Sequence, residues 1–198
     1  MAVPKGYTTI EKVENYLLTE IAENFEYQIT DWMIQVEDMI DQRTGRNFVA
    51  DAAATEKSYD GDGSNELLID DCVDITKLEI LTTDGETVYD DLVKDVDYFL
   101  EPSNELPKQS IRLYGYRFIK GIQNIKVTAK WGYSAAPPSS IVFAATVLLS
   151  NIINYSNQSQ GEINTLNVGA CSVSFKDQAK RDDFERVEEI LESFIKYD

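Results

Sequence analysis

The sequence predicts an α+β protein: a helical body of three to four helices, an antiparallel β module inserted in it, and a C-terminal amphipathic helix. Three observations predict it. Apolar residues recur at helical spacing near both ends, they recur with period two in the middle, and a dense apolar run follows the β stretch. The chain has 198 residues, 43% apolar and 27% charged, enough to bury a core without staples. On this reading residues 1–50 and 134–198 form the helical body, and residues 51–133 form the inserted module.

The first helix begins at "TTIE", a capping box in which Thr8 caps and Glu11 reaches back, followed by Ile10, Val13, Leu17 and Ile21 at helical spacing. A second helix covers "ITDWMIQVEDMIDQRTG". Its face is Ile29, Trp32, Met33, Val36, Met39 and Ile40, and Gly45 is placed to stop it. From Ala53 the period becomes two, and "TEKSY", "ELLID", "TKLEILT", "ETVYD", "DYFLE", "SIRLYG" and "NIKVTAKWGY" read as six or seven strands. Asp84-Gly85 marks a two-residue hairpin turn.

Pro137 and Pro138 end the last of these strands. Ser139 or Ser140 then caps a helix over "IVFAATVLLSNII", which is apolar on most sides and so reads as the central core helix. "INTLNVGACSVSF" reads as a hairpin or bulge around a glycine. The last helix carries the stripe Phe184, Val187, Leu191 and Phe194, widened by Ile190 and Ile195. Such a stripe either packs on its own body or docks on a partner, and both hold in an oligomer.

Composition excludes several functions. No histidine is present, which removes Ser-His and Cys-His nucleophile pairs, His-ligated zinc and His proton shuttles. Gly-rich phosphate loops, nucleophile elbows and zinc spacings are missing as well, so no catalytic residue and no cofactor is predicted. Cys72 and Cys171 read as buried free thiols. The N-terminal stretch lacks the apolar core of a signal peptide and no run spans a bilayer, so a soluble, unexported protein without a membrane partner is expected.

The formal net charge is −17, from 35 acidic and 18 basic residues. Residues 51–110 hold 17 Asp and Glu against 4 Lys, so the acidity belongs to the module. A surface so negative argues against tight binding to phosphate backbones.

Within the module, "DGDGSNELLIDD" places Asp60, Asp62, Ser64 and Asp71 at positions 1, 3, 5 and 12 of a calcium loop. Asn65 stands where that loop needs glycine, however, and the flanks read as strands rather than helices. The favoured reading is a hairpin turn. Asp70, Asp71 and Asp74 form a magnesium-like cluster without a nearby cation for a transition-state charge, which favours a solvated acidic rim. A calcium- or magnesium-binding module or enzyme using the Asp60–Asp74 acids is thus the alternative function. Arg43 and Arg46 in "RTGR" are helix C-terminal cations that meet the dipole, and are also suited to bridge the acidic module of a neighbouring subunit.

Several stretches together resemble the head-tail connector, or adaptor, family of long-tailed bacteriophages and gene transfer agents. "IQVEDMIDQRTGRNF" looks like that family's second helix and T-G-R-x-F junction, and "TEKSYDGDGSNELLIDD" like its strand, Y-D-G-x-G turn and following strand. "NIKVTAKWGYSAAPPSSIVFAATVLLSNII" resembles its G-Y strand, proline pair and long buried helix, and "NVGACSVSF" its short segment before the last helix. Residues 84–124 match no motif. The resemblance implies a homo-oligomeric ring, usually of twelve subunits, in the virion at the head–tail junction, assembled in the host cytoplasm. Its partners are the portal protein above and a stopper or tail-completion protein below, and DNA passes through without specific binding. It also implies portal contacts from the terminal segment, making Phe184, Val187, Leu191, Phe194 and Ile195 candidates. Another tail or capsid accessory protein is a third reading.

Overall fold

A computed structural model describes residues 3–21, 26–81, 89–157, 165–168, 171–174 and 178–196. The element order is α1 (Ile10–Leu17), α2 (Glu26–Thr44), β1 (Thr55–Gly61), β2 (Glu66–Leu81), β3 (Tyr89–Asp91), β4 (Tyr98–Glu101), β5 (Lys108–Leu113), β6 (Gly121–Trp131), α3 (Ser139–Asn157), β7 (Thr165–Val168), β8 (Cys171–Ser174) and α4 (Gln178–Ser193). This is the α+β class with a C-terminal helix. The chain divides into two compact units, Met1–Arg46 with Pro137–Asp198, and Asn47–Ala136.

In the helical unit α3 is central, touching α1, α2 and α4. Ile141, Ala144, Ala145, Val147, Leu148 and Leu149 are all buried, as a helix apolar on most sides requires. It begins directly after the proline pair: the Pro138 carbonyl accepts the first helical bond, from the Val142 N–H at 3.0 Å. On α2 the expected face divides. Ile29, Val36 and Ile40 are buried, whereas Trp32, Met33 and Met39 are half-buried. The helix stops before Gly45, which has φ +68°.

Helix α1 departs from its capping box. Thr9 is the N-cap, its hydroxyl accepting the Lys12 N–H at 3.3 Å, which puts Lys12 where a box needs Glu. Thr8 is buried instead, with its hydroxyl 2.7 Å from that of Thr146 on α3. Leu18 closes the helix in the left-handed region, so Ile21 lies outside it, its N–H donating to Glu14 Oε1 at 2.9 Å. A further feature, unmarked by periodicity, is Glu37 on α2. Its buried carboxylate accepts the backbone N–H groups of Lys5, Gly6 and Tyr7 at 2.6, 2.8 and 2.9 Å and ties the N-terminal segment down.

The second unit is an antiparallel sheet in the order β1-β6-β2-β5-β4, with β3 added on β2. "ELLID" and "TKLEILT" are not two strands but one, β2. Its first half pairs β5 and its second half pairs β6, with register shifts between Cys72 and Asp74 and between Ile75 and Lys77. One face of the sheet is the core, built from Leu67, Ile69, Leu78, Ile111, Ile125 and Val127 among others. The entry and exit segments are stitched together, as Tyr133 N–H donates to Asn47 O at 2.8 Å and Ala50 N–H to Ser134 O at 2.9 Å. Gly132 (φ +131°) has no room for a side chain, since a Cβ would lie 2.6 Å from the Ala50 Cα. The Asp84-Gly85 turn lies outside the described residues. β7 and β8 pair antiparallel, and the glycine between them lies outside the described residues.

Candidate functional site

The β1–β2 turn disperses its acids. Asp60 Oδ1 accepts the Gln123 N–H at 2.6 Å, while Asp62 Oδ1 accepts the Ser64 N–H at 2.7 Å. The bonds from Ser64 hold the Asp62 carboxyl below its ordinary range. Ser64 Oγ donates to the Glu66 carbonyl at 2.5 Å. Asp71 is buried away from the turn, where Oδ1 accepts from Gln109 Nε2 at 3.0 Å. The calcium set Asp60, Asp62, Ser64 and Asp71 is therefore not assembled: each member satisfies a local turn or a strand neighbour, because β2 runs straight through the position that a calcium loop would need to curl. The magnesium set disperses too. Asp70 pairs with Lys57 at 2.7 Å, and Asp74 accepts from Lys94 Nζ and the Ile75 N–H. Among the described residues no three His, Cys, Asp or Glu are grouped to hold a metal ion.

The cations of the module mostly face its own acids. Lys126 meets Glu56 at 3.1 Å, Lys77 meets Glu79 at 2.6 Å and Arg112 meets Glu66 at 3.5 Å, each with at least one exposed partner, and such surface pairs contribute about 0–1 kcal/mol. Asp51, Asp95 and Glu105 are exposed without an ion pair among the described residues. Cys72, in the core of the module, is a free thiol whose pKa burial pushes up to about 12, helped by the charges of Asp74 and Asp71. Cys171 has no described side chain.

Arg43 and Arg46 act within the chain. Arg43 reaches Glu188 at 3.4 Å and Glu192 at 3.9 Å on α4, and Arg46 Nε donates to the Phe194 carbonyl at 2.7 Å. These cations at the end of α2 hold α4 and its C-terminal carbonyls. The terminal stripe is also in use. Phe184, Val187 and Leu191 are at most 2% exposed, whereas Phe194 and Ile195 are half-buried. The first three are packing residues because α4 lays its apolar face on α3.

Missing from the sequence-level candidates is the connection between β5 and β6. It presents Tyr114, Tyr116, Arg117 and Lys120 to solvent, with Ile122 exposed beside it at the start of β6. A signal for it does exist, since no Asp or Glu occurs from Leu106 to Gly161.

Among the described residues no helix is long and apolar enough to cross a membrane. No protein-family model and no curated protein matches the sequence. Solved structures do match. A chain in the neck of an empty GTA particle, computed with C6 symmetry, is similar with a TM-score of 0.61 at 12% identity, over 100% of this chain and 94% of that one. A chain in the neck of a native GTA particle, computed with C12 symmetry, is similar with a TM-score of 0.53 at 12% identity, over 100% and 93%. At that identity the likeness is one of fold, and this chain has, along its whole length, the fold of these GTA neck chains.

Proposed function

We propose that this chain is a non-catalytic structural protein of the virion, one subunit of a twelve-membered adaptor ring in the head–tail neck. The ring sits under the portal protein and joins a stopper or tail-completion protein below. The observation that carries this reading is the fold shared end to end with neck chains of particles computed with C6 and C12 symmetry. A ring open to a passing genome favours a lumen that does not grip phosphates, and a chain of net charge −17 supplies that repulsion. The acidic module faces the channel in part. Portal contact by the terminal segment falls to Phe194 and Ile195, the stripe members that α4 leaves half-buried.

Negative-stain imaging of the protein with and without its portal tests the reading. A ring seated on the portal is expected; a filament, a trimer or no attachment refutes it. A ring structure with the module on the outside and a neutral lumen would remove the channel assignment alone.

A further inference from the structure

A closed ring needs a heterologous contact, in which one patch meets a different patch on the next copy. Arg43 and Arg46 are engaged inside the chain, which favours a cationic side of that contact formed by another surface. The β5–β6 connection has the required chemistry. Tyr116 is 62% and Ile122 84% exposed, and Arg117 and Lys120 are exposed with no carboxylate partner among the described residues. Tyrosine and arginine around an apolar side chain are the residues that dominate protein interfaces.

The loop is also held in shape. Phe118 is buried at its middle, its N–H donates to Ser64 O at 2.8 Å, and the Ile119 carbonyl accepts from Asn124 Nδ2 at 2.7 Å. The nearby acids Asp60 and Asp62 are turned onto the Gln123 and Ser64 N–H groups rather than onto Arg117 or Lys120. A preformed loop binds at a lower backbone ordering cost.

At the opposite end of β5, about 20 Å away along its six residues, the β4–β5 turn carries the complementary set. Among the described residues Glu105 is exposed without an ion pair, Leu106 is 43% exposed, and the Glu101 carboxylate has no ion pair and accepts from Ser103 Oγ at 3.0 Å. Lys108, the cation beside this turn, is turned onto the Pro102 and Ser103 carbonyls. One end of the hairpin thus presents exposed cations beside aromatic side chains and the other end carboxylates beside an apolar one, an arrangement that propagates head to tail.

We propose that residues 114–122 are the cationic half of a subunit–subunit contact, seated on the Glu101–Leu106 turn of a second copy of this chain. This rests on the ring reading above.

The test images rings on the portal for four proteins: the wild type, Arg117→Glu with Lys120→Glu, Glu101→Lys with Glu105→Lys, and the chain carrying all four changes. Circular dichroism checks that each is folded. Each reversed pair should lower ring occupancy by about ten-fold or more, and the fourfold swap should restore it. Rings undiminished in the loop variant, or unrestored in the swap, overturn the proposal while leaving the ring reading intact. A wild type that forms no ring on its portal overturns both. Binding of duplex DNA that is lost in the loop variant while its rings persist assigns the loop to nucleic acid and overturns the contact.

Discussion

Phe184→Ala separates a packing role for the terminal helix from a partner-facing one. The ring is 1% exposed in the helical unit, which also holds Val187 and Leu191. Burying a phenyl side chain removes about 150–250 Å² from water. At about 25 cal/mol/Å², less what alanine retains and plus a cavity term, its loss costs about 3–5 kcal/mol. With a urea slope of about 1–3 kcal/mol/M, the midpoint should fall by roughly 1–2 M or more. Urea titration followed by far-UV circular dichroism, which reports the helices, reads this directly. Ile195→Ala, at a half-buried position, should shift the midpoint much less. An unchanged midpoint for Phe184→Ala together with lost portal attachment would refute the packing assignment and return the residue to the partner-facing set.

Gly61→Ala should destabilise the β module by about 2–3 kcal/mol, because the new Cβ would lie 2.0 Å from the Ile119 carbonyl oxygen and a backbone atom must move; urea titration of intrinsic fluorescence checks it. Cys72, with its thiol near 12, should resist iodoacetamide at about pH 8 until the module unfolds, whereas rapid alkylation of the native protein in peptide mapping would contradict its burial. Asp41 titrates above its ordinary value because burial outweighs the hydrogen bonds from Lys5 and Tyr7, with the Asp38 charge adding to the rise. A raised carboxyl contributes stability that is complete below the unfolded value and is lost as pH rises through the folded one. Asp41→Asn should therefore flatten the stability curve on the acid side of neutrality, and an unchanged slope in urea midpoints across that window would remove the assignment.

The helices were legible where a single periodicity ran unbroken. α2, α3 and α4 carry their apolar faces in the sequence, and α3 needed only its density to be placed at the centre. Two features were not legible, for the same reason. "DCVD" reads as a break between strands because the alternation slips there, yet the slip is a pair of register shifts inside one continuous β2, where Cys72 is buried in the core. Thr8 reads as a cap because nothing local says that Thr146, 138 residues away, will take its hydroxyl. The intrachain partners of the site cations lie at a similar distance. Arg43 and Arg46 look available beside their own helix, and their partners lie about 150 residues on, across a whole inserted module. Local sequence shows that a charge exists; only the fold shows whether it has been used.

That distinction bears on how a ring would assemble. If the 114–122 loop seats on the Glu101–Leu106 turn, each contact contains two exposed ion pairs, worth about 0–1 kcal/mol each, around a small apolar centre. Against it stands the mutual repulsion of copies that each carry −17. Such a contact is too weak to hold two free subunits, and it succeeds only when a template already presents the copies side by side at high effective concentration. The free protein should then sediment as a monomer and form rings on the portal alone. Salt acts in opposite directions on the two terms: at about 0.15 M the screening length is about 8 Å, which damps the long-range repulsion between modules more than the pairs in contact. Ring yield on the portal should therefore rise as salt is added from low values and fall again once the pairs themselves are screened. A monotonic fall would mean that attraction dominates at every range, and that the charge of the module does not oppose assembly.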